Sequence, residues 1–168
     1  MKPFKILLVD DAPQVLKALE RMLRPKGYEL FMADSGHGAL DILRAHDIDL
    51  IVTDEFMPGL SGTDLLEVLK KLYPDIIRIM LTGLDDVESL KNAVNKGEIY
   101  RFFTKPWDDF ELSLAIYQGL QQRALERENA RLKTVACSQE KMLKQLEKEY
   151  PGISERKLTA DGSFIIEG

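Results

Sequence analysis

The feature that most limits what this chain can fold into is an alternation. Up to about Trp107, five short apolar runs are separated by segments with helical spacing. The runs are Ile6-Leu7-Leu8-Val9, Tyr28 to Met32, Ile48 to Thr53, Ile76 to Leu81 and Ile99 to Phe103. Each has strand length, and several are followed at once by polar or Gly residues. Between them, apolar residues recur three and four apart. The first set is Val15, Leu16, Leu19, Met22 and Leu23, and the second Leu40, Ile42 and Leu43. Leu65, Leu66, Leu69 and Leu72 follow, then Val87, Leu90, Ala93 and Val94. Pro13 suits the first turn of the first helix, and Gly27 lies just past its end. Parallel neighbours need crossover connections, so strand and helix in repeated alternation predict an α/β fold: a doubly wound parallel sheet with helices on both faces.

From Trp107 to about Glu149 the character changes. Leu, Gln, Glu, Arg and Lys dominate, and Gly119 is the one helix breaker. A crossover helix needs only the first part of this stretch. Leu125, Glu128, Leu132, Val135, Gln139, Met142 and Leu146 then form a heptad seam, with Glu128 and Gln139 as polar interruptions. That seam predicts a parallel homodimeric coil; the alternatives are a coil shared with an effector protein, or a helix folded back on its own domain. Tyr150-Pro151-Gly152 ends the helix, and Lys157 to Glu167 reads as a short hairpin about Asp161-Gly162. The expected organisation is a domain over 1–121, a helical extension over 122–149 and a tail over 150–168.

Composition narrows the classes of partner. The 168 residues carry 23 basic and 28 acidic side chains, a net charge of −5, which leaves no excess positive charge for a nucleic-acid backbone. A single Cys excludes an internal disulfide or a Cys-cluster metal site and suits a reducing compartment. No run approaches 18 apolar residues, and the first apolar run is too short for a signal-peptide core, so a soluble, cytoplasmic protein without a membrane contact is expected.

Chemistry gathers where the runs finish. Asp10 and Asp11 follow the first, and Asp54 follows the third. In an open parallel sheet, ligands bind beyond the carboxyl ends of the strands, where strand order reverses. If strands one and three are neighbours, three carboxylates converge there, and a hard cation such as Mg²⁺ relieves their repulsion. Taken one at a time, each Asp is equally well read as a cap for the turn that follows. The fourth run ends Leu81-Thr82-Gly83 and the fifth Phe103-Thr104-Lys105-Pro106. Acceptor carboxylate, cation and short hydroxyl donor together make the set a phosphoryl group requires.

With these residues in this order, the chain resembles a response-regulator receiver domain over roughly residues 4 to 121. The resemblance implies a flavodoxin-like sheet in the order 2-1-3-4-5 and a phospho-acceptor rather than an enzyme. It also implies phosphorylation of Asp54 by a sensor histidine kinase, with Mg²⁺ held by Asp10, Asp11, Asp54 and the backbone carbonyl of Phe56. By the same resemblance Thr82 contacts the phosphoryl group, Lys105 pairs with it, and Phe102 is the switch aromatic. Met57-Pro58-Gly59 and Gly62 match the family's loop after the acceptor. Gly83 replaces the more frequent Ala, and Phe102 lacks a hydroxyl, so switching would rest on packing. The stretch from Gly97 to Trp107 most resembles receivers attached to cyclic-di-GMP phosphodiesterases. Residues beyond 121 hold neither that output domain's His-Asp nor its Gly-Tyr-Pro motif. The expected output is protein–protein contact with an unidentified effector.

Other signals carry less. Gly36-His37-Gly38 lacks the third Gly of a dinucleotide fingerprint, and Gly59-Leu60-Ser61-Gly62 reads as a turn. His37, His46 and Cys137 read as surface residues. The rival readings are an interaction scaffold with a silent acid site, a phosphatase working through an aspartyl-phosphate, and a fragment of a longer regulator. Thr82 and Lys105 speak against the scaffold. The lack of an acid two residues after Asp54 speaks against the phosphatase.

Overall fold

A computed structural model describes residues 2–83, 87–96 and 98–152. Strands and helices alternate as the apolar pattern requires: β1 (Lys5–Val9), α1 (Pro13–Leu23), β2 (Glu29–Ala33), α2 (Gly36–Ala45), β3 (Leu50–Asp54), α3 (Gly62–Leu72), β4 (Ile77–Thr82), α4 (Val87–Asn95), β5 (Arg101–Thr104) and α5 (Asp109–Glu149). All pairs are parallel, in the order β2-β1-β3-β4-β5. The chain reverses direction across the sheet between β1 and β3, which makes their carboxyl ends the place for a ligand.

The ends of these elements have local causes. Pro13 occupies the first turn of α1. A single 3₁₀ turn, Arg24–Lys26, follows α1 and closes on Gly27, whose φ of +77° is left-handed. The Ser35 hydroxyl accepts from the Gly38 amide at 3.1 Å to start α2. Ser61 and Asp64 form a reciprocal capping box at the start of α3. Four strands end one residue beyond the apolar runs, at Ala33, Asp54, Thr82 and Thr104, because ladder pairing carries on to Val9↔Ala33, Asp54↔Leu81 and Thr82↔Thr104.

Two cores sandwich the sheet. On one face Leu7, Ile51 and Met80 meet Ala39 and Leu43 of α2, Leu65 and Leu69 of α3 and Leu90 of α4. On the other, Ile6, Leu8, Val52 and Ile79 meet Leu19 and Leu23 of α1 and Leu112, Ile116 and Leu120 of α5. Gly119 permits this second contact, since a Cβ there would lie 2.9 Å from Ile77 Cγ2.

The chain divides into two compact units, Met1–Ala124 and Leu125–Gly168. Near the end of the first, Arg123 is buried and its guanidinium lies 3.5 Å from Asp75. In the second, the helix exposes Leu125, Leu132, Val135, Met142 and Leu143, while Leu146 is half-buried. The seam read from the sequence is therefore an open apolar stripe over most of its length, and Leu143 beside it widens the stripe. Glu128 pairs with Arg131 at 2.7 Å on the same helix. The hairpin expected about Asp161-Gly162 lies outside the described residues. No helix among the described residues is long and apolar enough to cross a membrane.

Candidate functional site

Parallel strands deliver all their carboxyl ends to one edge, and backbone bonds continue the ladder by one residue there. The Asp10 amide donates to the Ala33 carbonyl at 3.2 Å, the Glu55 amide to Leu81 at 3.0 Å and the Lys105 amide to Thr82 at 2.8 Å. These bonds fix where the side chains leave the sheet. Asp10 and Asp54 are buried and Asp11 is exposed, and one carboxylate oxygen from each lies within 4.8 Å of the others. Lys105 enters from the end of β5. Its Nζ sits 2.9 Å from Asp10 Oδ2 and 3.0 Å from Asp54 Oδ1.

Asp10 caps the turn after β1 and also faces Lys105. Its Oδ1 accepts from the Ala12 amide at 2.8 Å, a local cap, while Oδ2 faces Lys105. Asp54, buried at the end of β3, joins the acid cluster through Lys105.

Charge governs this site. Three carboxylates, two of them buried, stand against one ammonium, an excess of two negative charges when all are ionised. Burial pushes the Asp54 carboxyl above its ordinary range, and the hydrogen bond from Lys105 recovers only part of the shift. Burial also opposes the charge on Lys105, but its hydrogen bonds to Asp10 and Asp54 outweigh this and raise its pKa. The asymmetry has a simple cause: Lys105 has two anionic partners, whereas Asp54 shares one cation with Asp10. Hard oxygen donors with uncompensated negative charge fit a small divalent cation.

Thr82 ends β4 fully buried, and its hydroxyl has no hydrogen-bond partner among the described residues. Burying such a group without a partner costs roughly 1–3 kcal/mol. Phe102 lies opposite Met80 in the ladder, two residues before the Thr82↔Thr104 pair. Strand alternation thus puts Thr82 and Phe102 on the same face. Phe102 is half-buried against the core of α2, α3 and α4. Phe56 stands two residues beyond Asp54 and is 60% exposed.

The sequence reading missed a second group beside Asp54. Glu55 is only 8% exposed, and its carboxylate accepts the Thr63 hydroxyl at 2.9 and 2.8 Å. Glu55 follows Asp54 as Asp11 follows Asp10, so the same strand-end rule could have marked it, but only the fold brings Thr63 to its carboxylate. His37 and His46 are exposed, His46 with its ring 4.4 Å from that of Phe31, and Cys137 is exposed in the second unit.

The family model of the response regulator receiver domain matches residues 6–117. Over 146 residues the chain is 32% identical to the transcriptional regulatory protein GlrR of Escherichia coli, a match that covers 87% of this chain and 33% of that protein. It is 30% identical over 131 residues to the hydrogenase transcriptional regulatory protein HoxA of Cupriavidus necator, covering 78% of this chain and 27% of that one. The chain thus spans a third or less of the length of these curated relatives. Among solved structures, the signal receiver domain of an HD domain-containing protein from Pseudomonas fluorescens superposes with a TM-score of 0.69 at 38% identity, covering 73% of this chain and 98% of that one.

Proposed function

The chain belongs to the response regulator receiver domain family, and from that premise we propose that it is the phospho-acceptor of a two-component system, with Asp54 as the acceptor. The observation that carries this is the buried Asp54 carboxylate, 3.0 Å from Lys105 and grouped with Asp10 and Asp11. An Asp54 oxygen attacks the phosphorus of a kinase phosphohistidine. The new P–O bond forms as the P–N bond breaks, and the departing imidazole takes a proton from solvent. Lys105 pairs with a phosphoryl oxygen, and the Thr82 hydroxyl, which has no hydrogen-bond partner among the described residues, donates to another. Asp10, Asp11, Asp54 and the Phe56 carbonyl would hold Mg²⁺, which when bound supplies positive charge against the incoming phosphoryl oxygens.

The phosphoryl group brings roughly −1.5 to −2 charge. Thr82 moving toward it leaves space on its own face of the sheet, into which Phe102 rotates. This repacking is the switch, and it uses no hydroxyl on the aromatic ring. The output is protein contact in a cytoplasmic setting, with no reaction on a separate substrate. Residues 125–149 pair with a second copy of the chain through Leu125, Leu132, Val135, Met142 and Leu146. Each such side chain is worth about 1.5–3 kcal/mol when buried. Five from each copy therefore offset an association cost of roughly 4–15 kcal/mol.

Incubation with acetyl phosphate and Mg²⁺, followed by intact mass, tests the acceptor. The parent should gain one phosphoryl group and Asp54→Asn none, with an unchanged circular dichroism spectrum. Full single-site labelling of Asp54→Asn would overturn the assignment.

A further inference from the structure

Burying a carboxylate is costly unless its partners hold it well, so the buried Glu55 calls for a reason. It is held at three points. Its amide donates to Leu81 at 3.0 Å, its carbonyl accepts from Gly62 at 3.0 Å, and its side chain accepts from Thr63 Oγ1 at 2.9 and 2.8 Å. The start of α3 is pressed against the end of β3: a Cβ on Gly62 would collide with the Asp54 carbonyl oxygen and lie 2.9 Å from Glu55 Cα. Residues 56–61 therefore form a loop whose two ends are pinned together, and one of its six residues is Phe56.

A backbone carbonyl cannot be swung into place by a rotamer. Only the path of the loop can aim it. We propose that Glu55 and Thr63 are positioning residues for the cation site, clamping the loop so that the Phe56 carbonyl faces the Asp10, Asp11 and Asp54 cluster. An apolar side chain at 55 would fill the same space at lower desolvation cost but would hold no hydroxyl, and the loop would be tied by backbone bonds alone. The inference rests on the divalent-cation reading proposed above, and it concerns what sets affinity there.

The test is calorimetric titration of the full chain with Mg²⁺, alongside thermal unfolding in EDTA. Thr63→Val removes the hydroxyl and keeps the shape, and Thr63→Ser restores the hydroxyl. Partners one shell out from a metal typically change affinity by about 10–100-fold when lost, so Thr63→Val should bind Mg²⁺ on the order of tenfold more weakly. Thr63→Ser should recover most of that loss. Labelling by acetyl phosphate should slow at low Mg²⁺ and return to the parent rate at saturation. If Thr63→Val does not fold, Thr63→Ala removes the same hydroxyl at a position where Ala suits a helix. Parental Mg²⁺ affinity in the hydroxyl-free variant, with or without a lower unfolding temperature in EDTA, overturns the clamp alone. A parent that binds no Mg²⁺ overturns the cation reading and the clamp together.

Discussion

Three glycines offer a graded test of how closely the acceptor strand and the helices are packed. At Gly62 the added Cβ meets backbone: the Asp54 carbonyl oxygen in collision, Glu55 Cα at 2.9 Å and Asp54 C at 3.0 Å. Backbone at the end of a central strand has nowhere to go, so Gly62→Ala belongs at the upper end of overpacking costs, about 3 kcal/mol. At Gly119 the Cβ meets side chains, Ile77 Cγ2 at 2.9 Å, Tyr100 Cε1 at 3.3 Å and Leu50 Cδ1 at 3.4 Å. These can yield at about 1–2 kcal/mol, and Ala recovers about 0.5–1 kcal/mol of helix propensity. The net loss for Gly119→Ala should be about 0–1.5 kcal/mol. At Gly83 no described residue lies within 4 Å and φ is not left-handed. Ala there should stabilise by about 0.4–1 kcal/mol, through the unfolded chain. Urea unfolding followed by Trp107 fluorescence reads the first compact unit, because the chain has one Trp. With roughly 3–6 °C per kcal/mol for a domain of this size, Gly62→Ala should melt on the order of 10 °C below the parent. It should also label poorly with acetyl phosphate, since the strain falls on the acceptor's own carbonyl. A Gly62→Ala protein within about 0.5 kcal/mol of the parent, or less destabilised than Gly119→Ala, would refute the reasoning.

Asp54 titrates above the ordinary carboxylate value of 3.8 in the fold. A raised folded pKa gives stability that is complete below the unfolded value and lost as pH rises through the folded one. In EDTA the parent should therefore lose stability relative to Asp54→Asn as pH climbs from below 3.8 past the raised value; identical pH profiles would show that burial does not burden the acceptor. Thr82→Val replaces with a methyl group a buried hydroxyl that has no hydrogen-bond partner among the described residues. It should stabilise the unphosphorylated protein by up to about 1 kcal/mol, still accept phosphate at Asp54, and fail to change oligomeric state or binding in response. A parental response to acetyl phosphate would exclude Thr82 from the switch. A chain cut after Ala124 keeps the buried Arg123 beside Asp75, and should be a folded, phosphorylatable monomer in sedimentation. The full chain should sediment as a dimer at tens of micromolar, and a monomeric full chain with and without phosphodonor would assign the stripe to another partner.

What was legible in the sequence was local. Runs of strand length, helical spacing, Pro13 and Gly27 depend on neighbours along the chain, and they placed every strand to within a residue or two, whereas α2 and α3 begin at Gly36 and Gly62, three or four residues before the first apolar residue that marked them. The acids and the lysine could be read because they directly follow apolar runs, which is where a parallel sheet gathers its ligands. The strand order came from the resemblance and not from periodicity, since spacing along the chain carries no record of which strands pair. The meeting of Lys105 with Asp10 across 95 residues is a product of that pairing. So is the burial of Glu55, whose charge in the sequence suggests solvent. It is enclosed because α3 returns onto the end of β3 and supplies Thr63 at hydrogen-bond distance. That the Thr82 hydroxyl meets no acceptor among the described residues is decided in the same way, since whether a buried donor finds an acceptor depends on every element around it. Short-range preferences set which segments are strands and helices, while long-range packing decides which charges are desolvated and which donors are left waiting.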